Sequence, residues 1–118
     1  EAVWSDYAAV FHLKDDPSGS APQLVDSTGN GNNGTSNGSM TSGDVVTGTI
    51  GDATRFDTID DYYNIPDAAT LDVTQITIQG WCAAHENSDN DFFIKPAVAS
   101  WASPFVSYYL RLVQLNPW

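Results

Sequence analysis

Hydrophobic and polar positions alternate along several short stretches of the chain, which is the period-two pattern of β-strands with two unlike faces. The clearest pair covers residues 56–66 and 71–81, joined by a turn at 66–70. In the second stretch Ile76 and Ile78 alternate with Thr77 and Gln79. We therefore expect two paired strands whose isoleucines face a core and whose opposite face is open for function.

Other stretches repeat this pattern on a smaller scale. They lie at residues 10–13, at Val45-Val46, at 92–94 and at 106–113, and turn-forming residues separate them. No segment has a helical period over about ten residues. The sequence predicts a single all-β domain over residues 1–118, with the strand spacing of a sandwich.

Residues 26–43 contain most of the glycine in the chain. Three Asn-Gly pairs, Asn30-Gly31, Asn33-Gly34 and Asn37-Gly38, follow one another closely. Asparagine and glycine accept the positive φ angles that tight turns require. Because apolar strands flank this stretch on both sides, we expect ordered turns rather than a disordered linker.

Charge and cysteine content exclude several classes of function. Four Lys and Arg residues against fifteen Asp and Glu give a net charge of −11, so nucleic acids and anionic membranes are poor partners. No run of eighteen apolar residues predicts a membrane span. Cys82 is the single cysteine and excludes an intrachain disulfide. It lies on the apolar-alternating side of a predicted strand, so we expect a small buried side chain.

Five motifs, taken in order, resemble the laminin-G-like group of the concanavalin A-like lectin/glucanase superfamily, and the resemblance runs over roughly residues 3 to 112. They are Val3-Trp4-Ser5 with Ala9-Val10-Phe11-His12-Leu13; Asp26-Ser27-Thr28-Gly29-Asn30-Gly31-Asn32-Asn33-Gly34-Thr35; Ile50-Gly51-Asp52-Ala53 with Phe56-Asp57; Asp60-Asp61-Tyr62 with Ile65-Pro66; and Ile76-Thr77-Ile78 with Trp81. The resemblance implies a jelly roll of two antiparallel sheets in a secreted or cell-surface bacterial accessory module. Such modules commonly bind glycans or mediate adhesion, and many hold a structural calcium ion.

The end of the chain departs from that group. Its domains usually continue through several more strands, whereas this chain stops six residues after Leu112. Three explanations are open: a truncated domain, a reduced sandwich, or a sheet completed by strands of another chain. An incomplete sheet leaves unpaired edge groups and exposed core, which favours association with further copies.

Calcium is the expected cofactor. Asp26, Thr28 and Asn30 offer oxygen atoms at alternate positions and Gly31 follows them, as at the start of a calcium loop. The match is partial, because Asn37 stands where a bidentate Glu closes such a loop. Asp60 or Asp61 can complete a site from a separate loop. The alternative is that Asp26 and its neighbours only satisfy the backbone of the turn.

A glycan or polysaccharide is the expected partner, and copies of the chain itself are a second one. Neutral sugars stack on aromatic rings while amide and carboxylate groups bind their hydroxyls. Trp81 and Trp101 have the alternative of packing in the core. The predicted glycan-binding residues are Tyr62, Asn64, Gln79, Trp81, Trp101 and Tyr108.

Hydrolysis is a remote alternative. Glycosidases need two carboxylates that flank the scissile bond, and the densest acidic cluster is Glu86 with Asp89 and Asp91. Its spacing does not place Glu86 and Asp89 on one side of a strand, and its Asn and Ser content is typical of a loop. The sequence therefore predicts a non-enzymatic extracellular module that binds carbohydrate and is stabilised by calcium, with a structural repeat assembled by strand pairing between chains as the alternative.

Overall fold

A computed structural model describes residues 3–57, 59–83, 90–95 and 108–112. The chain falls into two compact units, Glu1–Gln75 and Ile76–Trp118, and each is described by itself. In the described residues six strands form three two-stranded antiparallel sheets, and the helical segments are two single 3₁₀ turns. The fold is all-β, as the sequence predicts.

The first sheet pairs β1 (Thr35–Asn37) with β4 (Tyr62–Asn64), so that Ser36 lies opposite Tyr63. Burial alternates along β4: Tyr62 and Asn64 are exposed, and Tyr63 is half-buried. The Tyr63 ring packs edge-on against Phe56, with ring centroids 5.9 Å apart. Of the strand predicted at residues 56–66 the described part of the structure contains only Tyr62–Asn64, with the expected alternation around residue 63, and its partner is β1 and not the segment at 71–81.

The second sheet is a hairpin of β2 (Val45–Thr47) and β3 (Asp52–Thr54). Its loop closes with a hydrogen bond of 2.7 Å from the Gly48 N–H to the Gly51 carbonyl, and Gly51 takes a φ of 70°. Val45 and Val46 form the predicted strand. Ile50 lies in the loop and is 77% exposed.

The second unit contains the third sheet, in which β5 (Asn90–Lys95) pairs with β6 (Tyr108–Leu112). An irregularity between Asp91 and Phe93 shifts the register by one residue, which locally increases the twist of a strand. Strand β5 contains the predicted strand at 92–94, and β6 agrees with the prediction for 106–113 over the described residues 108–112.

The predicted strand at 71–81 is wrong. Residues Ala69–Leu71 form a 3₁₀ turn, and residues 72–83 form no strand. Ile76 and Ile78, expected in the core, are 46% and 38% exposed. An alternating pattern buries one face only where a neighbouring strand satisfies the backbone, and no described strand pairs with this segment. For the same reason Cys82 is exposed and not buried as predicted.

The first predicted strand, at residues 10–13, is reduced to a single bridge between Phe11 and Asp26. A second bridge joins Leu24 to Gly34. These bridges bring the start of the chain and β1 to either side of the segment at residues 24–26. The glycine-rich segment is ordered here, as expected: Gly31 and Gly38 take φ angles of 71° and 88°, and Gly34 lies buried against Leu24.

The interior of the first unit is polar as well as apolar. Among the described residues Leu24 and Met40 are the buried large apolar side chains, and Pro17 is fully buried as well. Three polar side chains reach the same degree of burial: Asp26, Asn32 and Asp44. Most buried polar groups in proteins are hydrogen-bonded, so the partners of these three side chains define the arrangement of this unit. In the described part of the chain no helix has the length and apolarity to cross a membrane.

Candidate functional site

The carboxylate of Asp26 is the centre of the most connected group of side chains in the first unit. Its Oδ1 accepts hydrogen bonds from the backbone N–H groups of Val10 at 3.1 Å and Thr28 at 2.9 Å. Its Oδ2 accepts from the Thr28 hydroxyl at 2.7 Å and from the Asn32 N–H at 2.9 Å. The side chain is only 6% exposed. Asp26 thus joins the start of the chain to the glycine-rich loop.

The neighbouring asparagines extend this connection. Asn30 donates through Nδ2 to the carbonyls of Tyr7 and Ala8, and Asn32 donates through Nδ2 to Ala8 at 2.8 Å. Asn33 accepts the Asp26 N–H through its side-chain oxygen. We call the side chains of Asp26, Thr28, Asn30, Asn32 and Asn33 the polar clasp.

The polar clasp also reaches the end of the first unit. The Thr70 hydroxyl donates to Oδ1 of the buried Asn32 at 2.9 Å, across 38 positions of sequence. Asn32 therefore contacts both residue 8 and residue 70 through one amide group. Such long-range contacts must offset the entropy of closing the intervening chain.

Hydrogen bonding decides the ionisation of Asp26. Burial by itself raises the pKa of a carboxyl, because it penalises the charged form. The donors from Thr28, Val10 and Asn32 outweigh that effect and bring the pKa of Asp26 below its ordinary value of 3.8. Asp26 is therefore an anion throughout the neutral range.

Hydrogen bonds within the chain occupy oxygen atoms of Asp26 and Thr28 that a calcium ion would need. A carboxylate offers about four lone-pair sites, and four donors point at the two oxygens of Asp26. The Thr28 hydroxyl gives its proton to Asp26, and its oxygen accepts the Asn30 N–H at 3.2 Å. These contacts agree with the alternative in which the residues satisfy the turn.

The two remaining predicted metal ligands lie in a different place. Asp57, Asp60 and Asp61 offer oxygen atoms within 4.8 Å of one another; we call these three residues the carboxylate cluster. Asp57 was not among the predicted ligands. Calcium binding by Asp60 and Asp61 stays a prediction, and the structure adds the neighbouring Asp57 to their surroundings.

Internal hydrogen bonds already organise the carboxylate cluster. Asp57 Oδ1 accepts from the N–H groups of Ile59 at 2.8 Å and Asp60 at 3.3 Å, and Asp61 Oδ2 accepts the Asp57 N–H at 3.0 Å. The Ile59 contact is the main reason that the pKa of Asp57 is lowered. The other oxygen of Asp61, Oδ1, is buried and has no hydrogen-bond partner among the described residues.

A third polar group, which the sequence analysis missed, surrounds Asp44. Thr41 and Asp44 form a capping box on the 3₁₀ turn Ser42–Asp44, and Arg55 lies 2.9 Å from Asp44 Oδ1. Hydrogen bonds from Thr41 and then from Arg55 lower the pKa of Asp44. The spacing Thr41-x-x-Asp44 resembles the known capping-box pattern and was the available sequence signal.

The predicted glycan-binding residues are divided between the two units. Tyr62 and Asn64 lie on the exposed side of β4, and Tyr62 is 54% exposed. In the second unit Gln79 is exposed, Trp81 is 76% exposed, and Tyr108 stacks on Phe93. Trp101 lies outside the described residues, as do the acidic residues Glu86 and Asp89. Glycan binding stays a prediction at all six positions.

A shallow cleft of about 230 Å³ lies near the start of the chain. It is lined by His12, Lys14, Asp15, Val25 and Ser27. The His12 ring packs edge-on against Trp4, with ring centroids 6.1 Å apart. Ordinary small-molecule pockets measure roughly 300–1,000 Å³ and are largely apolar. The cleft is smaller and more polar than such pockets.

No protein-family model and no curated protein sequence matches the chain. Among solved structures it is similar to the crystal structure of residues 221–444 of an S-layer domain-containing protein from Clostridium thermocellum ATCC 27405. The two share 24% sequence identity with a TM-score of 0.62. The similarity covers 78% of this chain and 41% of that chain, so this chain spans less than half of the solved structure. At this identity the two proteins share a fold.

Proposed function

We propose that the chain is a non-catalytic structural module of a bacterial cell-surface or extracellular assembly, joined to further copies through strand pairing. The observation that carries this proposal is the shared backbone with an S-layer domain-containing protein over 78% of the chain. An S-layer is a protein array on a cell surface, so a module of this fold has a precedent in that setting. Fold alone does not fix function, and the remaining support comes from the edges of the sheets.

One edge of the first sheet is closed within the chain. The Ser36 N–H points away from β4 and donates to Gln23 Oε1 at 3.3 Å, and the next bridge joins Leu24 to Gly34. A strand of another chain that approached this edge would meet the Gln23 side chain. Natural sheets commonly cover an edge in this way to prevent unwanted pairing.

The other edge of the same sheet, along β4, is different. In an antiparallel pair, two residues that lie opposite each other either both bond to the facing strand or both direct their N–H and C=O groups outward. Because the N–H of Ser36 points outward, Tyr63 opposite it also directs its N–H and carbonyl away from β1. No described strand pairs with this edge. Strand addition by another chain at β4 would satisfy these groups.

Charge sets the conditions under which copies associate. The chain carries a net charge of −11, so two copies repel each other at low ionic strength. Screening shortens this repulsion to about 8 Å at physiological salt. We therefore expect self-association to increase with salt as well as with protein concentration.

Sedimentation velocity at rising protein concentration, at low and at physiological salt, tests the proposal. Hydrogen exchange on the same samples locates the contact: the Tyr63 amide should become protected in the associated form. The Ser36 amide, already covered by Gln23, is the internal control and should exchange at the same rate in both forms. A chain that remains monomeric under all these conditions, with unchanged exchange at Tyr63, contradicts assembly through β4.

Glycan binding is a second candidate function, favoured by the exposure of two aromatic rings. Trp81 is 76% exposed and Tyr62 is 54% exposed, whereas an aromatic ring that only packs in the core is buried. Tyr62 also has exposed Asn64 on its own side of β4, which supplies an amide beside a stacking surface. Stacked rings with adjacent hydrogen-bonding groups are suited to neutral sugars.

Binding to soluble and cell-wall polysaccharides, measured for the wild type and for Tyr62→Ala and Trp81→Ala, tests this second candidate. Each variant should weaken binding severalfold if its ring stacks on sugar. Ile59→Ala is the matched control, since Ile59 is an 84% exposed aliphatic residue. Equal binding by all four proteins, or none by the wild type, removes the candidate.

A further inference from the structure

The glycine-rich loop at residues 26–34 has the sequence of an oxygen-rich metal loop but not the donor arrangement of one. Asp26, Thr28 and Asn30 are its candidate ligands. In the structure the Asp26 oxygens and the Thr28 oxygen accept hydrogen bonds from groups of the same chain. The loop is therefore already closed by protein donors.

We infer that this loop folds without a metal ion, and that the Asp26 carboxylate is an internal anion that takes the organising role a bound cation has in a calcium loop. In a calcium loop several oxygens converge on a central positive ion. Here the arrangement is inverted: donor hydrogens converge on a central negative carboxylate. Backbone N–H groups that point at one centre favour an anion there, and Asp26 supplies the anion from within the chain.

Electrostatics disfavours a cation at this position. The N–H groups of Val10, Thr28 and Asn32 direct their positive ends toward Asp26 from three parts of the backbone. A calcium ion that took Asp26 as a ligand would have to displace these donors and leave them unsatisfied. Because Asp26 is only 6% exposed, water is not at hand to compensate them.

The other two candidate residues belong to the same hydrogen-bond network. The Thr28 hydroxyl gives its hydrogen to Asp26 and accepts the Asn30 N–H. The Asn30 side-chain amide donates to the Tyr7 and Ala8 carbonyls, which orients it toward the start of the chain. The polar clasp thereby holds together residues 7–10 and 26–33 in the way that a shared ion would.

The inference is tested on the full chain by thermal unfolding in calcium chloride and in EDTA, together with calorimetric titration with calcium chloride. Three variants accompany the wild type. Thr28→Val and Asn30→Ala each remove one candidate ligand and some hydrogen bonds of the clasp, and Asp60→Asn removes a carboxylate of the separate cluster. We expect Tm to fall by several degrees in Thr28→Val, and we expect any difference in Tm between calcium and EDTA to be as large in both loop variants as in the wild type.

The outcomes separate the two possible locations of an ion. No calcium effect on any protein supports the inference. A calcium-induced rise in Tm that persists in Thr28→Val and Asn30→Ala but is lost in Asp60→Asn also supports it, because the ion then lies at the carboxylate cluster. A rise that is lost in Thr28→Val and Asn30→Ala and kept in Asp60→Asn overturns it. The result is independent of whether the chain assembles with copies of itself.

Discussion

Arg55 binds Asp44 twice. Its guanidinium Nη2 lies 2.9 Å from Asp44 Oδ1, and its backbone N–H donates to the Asp44 carbonyl at 2.8 Å. The Arg55 side chain is 63% exposed, whereas the Asp44 side chain is 12% exposed. The contact joins the end of β3 to the 3₁₀ turn before β2, and so closes the base of the β2–β3 hairpin.

Replacing Arg55 tests how much of this closure depends on charge. In Arg55→Met the backbone hydrogen bond remains while the ion pair is lost, so the pKa of Asp44 should rise toward its ordinary value. An ion pair with one exposed partner contributes little to stability, so we expect only a small fall in the free energy of unfolding. NMR titration of the Asp44 carboxyl and urea unfolding measure both effects. Lys14→Met, for which the described residues contain no ion pair, should leave the Asp44 titration unchanged.

Acid should destabilise the fold through three aspartates. Hydrogen bonds lower the folded-state pKa of Asp26, Asp44 and Asp57 below 3.8. A carboxyl whose pKa is lower in the folded state contributes stability above its unfolded-state pKa, and this contribution is lost as pH falls through the folded-state pKa. Stability should therefore be constant near neutral pH and decline below about pH 4. Urea unfolding at a series of pH values measures it, and an unchanged midpoint in acid contradicts the prediction.

Three glycines form a graded test of backbone conformation. Gly38 has a φ of 88°, and a Cβ there would lie 2.5 Å from the Asp60 carbonyl oxygen. Gly31 has a φ of 71° with open space, and Gly29 has neither restriction. We expect Gly38→Ala to cost more than about 2 kcal/mol and Gly31→Ala about 1 kcal/mol. Gly29→Ala should be neutral within about 0.5 kcal/mol. Thermal unfolding of the three variants gives the order, and equal losses would contradict it.

Thr70 provides a test of the long-range end of the polar clasp. In Thr70→Val the buried Oδ1 of Asn32 loses the hydroxyl that donates to it at 2.9 Å. An unsatisfied buried acceptor costs roughly 1–3 kcal/mol, so we expect a fall in unfolding free energy within that range. Thr49→Val, at an exposed position of the β2–β3 loop, is the control and should change stability little. A loss of similar size in both variants would mean that the Asn32 contact contributes nothing specific.

Local signals in the sequence determined the class of the fold and most of its short strands. Side-chain period and turn residues predict three of the strands, through the alternation around Tyr63, the valines of β2 and the apolar residues of β5. Both signals come from residues that are neighbours in the sequence. The same holds for the ordered turns at Gly31 and Gly38, because few residues accept a positive φ.

Only the tertiary structure decided which of the predicted strands pair and which groups the polar side chains bind. The segment 76–81 has the same alternation as β4 but pairs with no described strand, so Ile76 and Ile78 stay exposed. Likewise Asp26 has the sequence position of a metal ligand. Thr28 and Asn32 donate to its oxygens from within the loop, and only the donor from Val10 arrives from another part of the sequence. The reason is the same in both cases: the last partner of a strand or of a carboxylate comes from a distant part of the sequence, and the local pattern does not show which group that is.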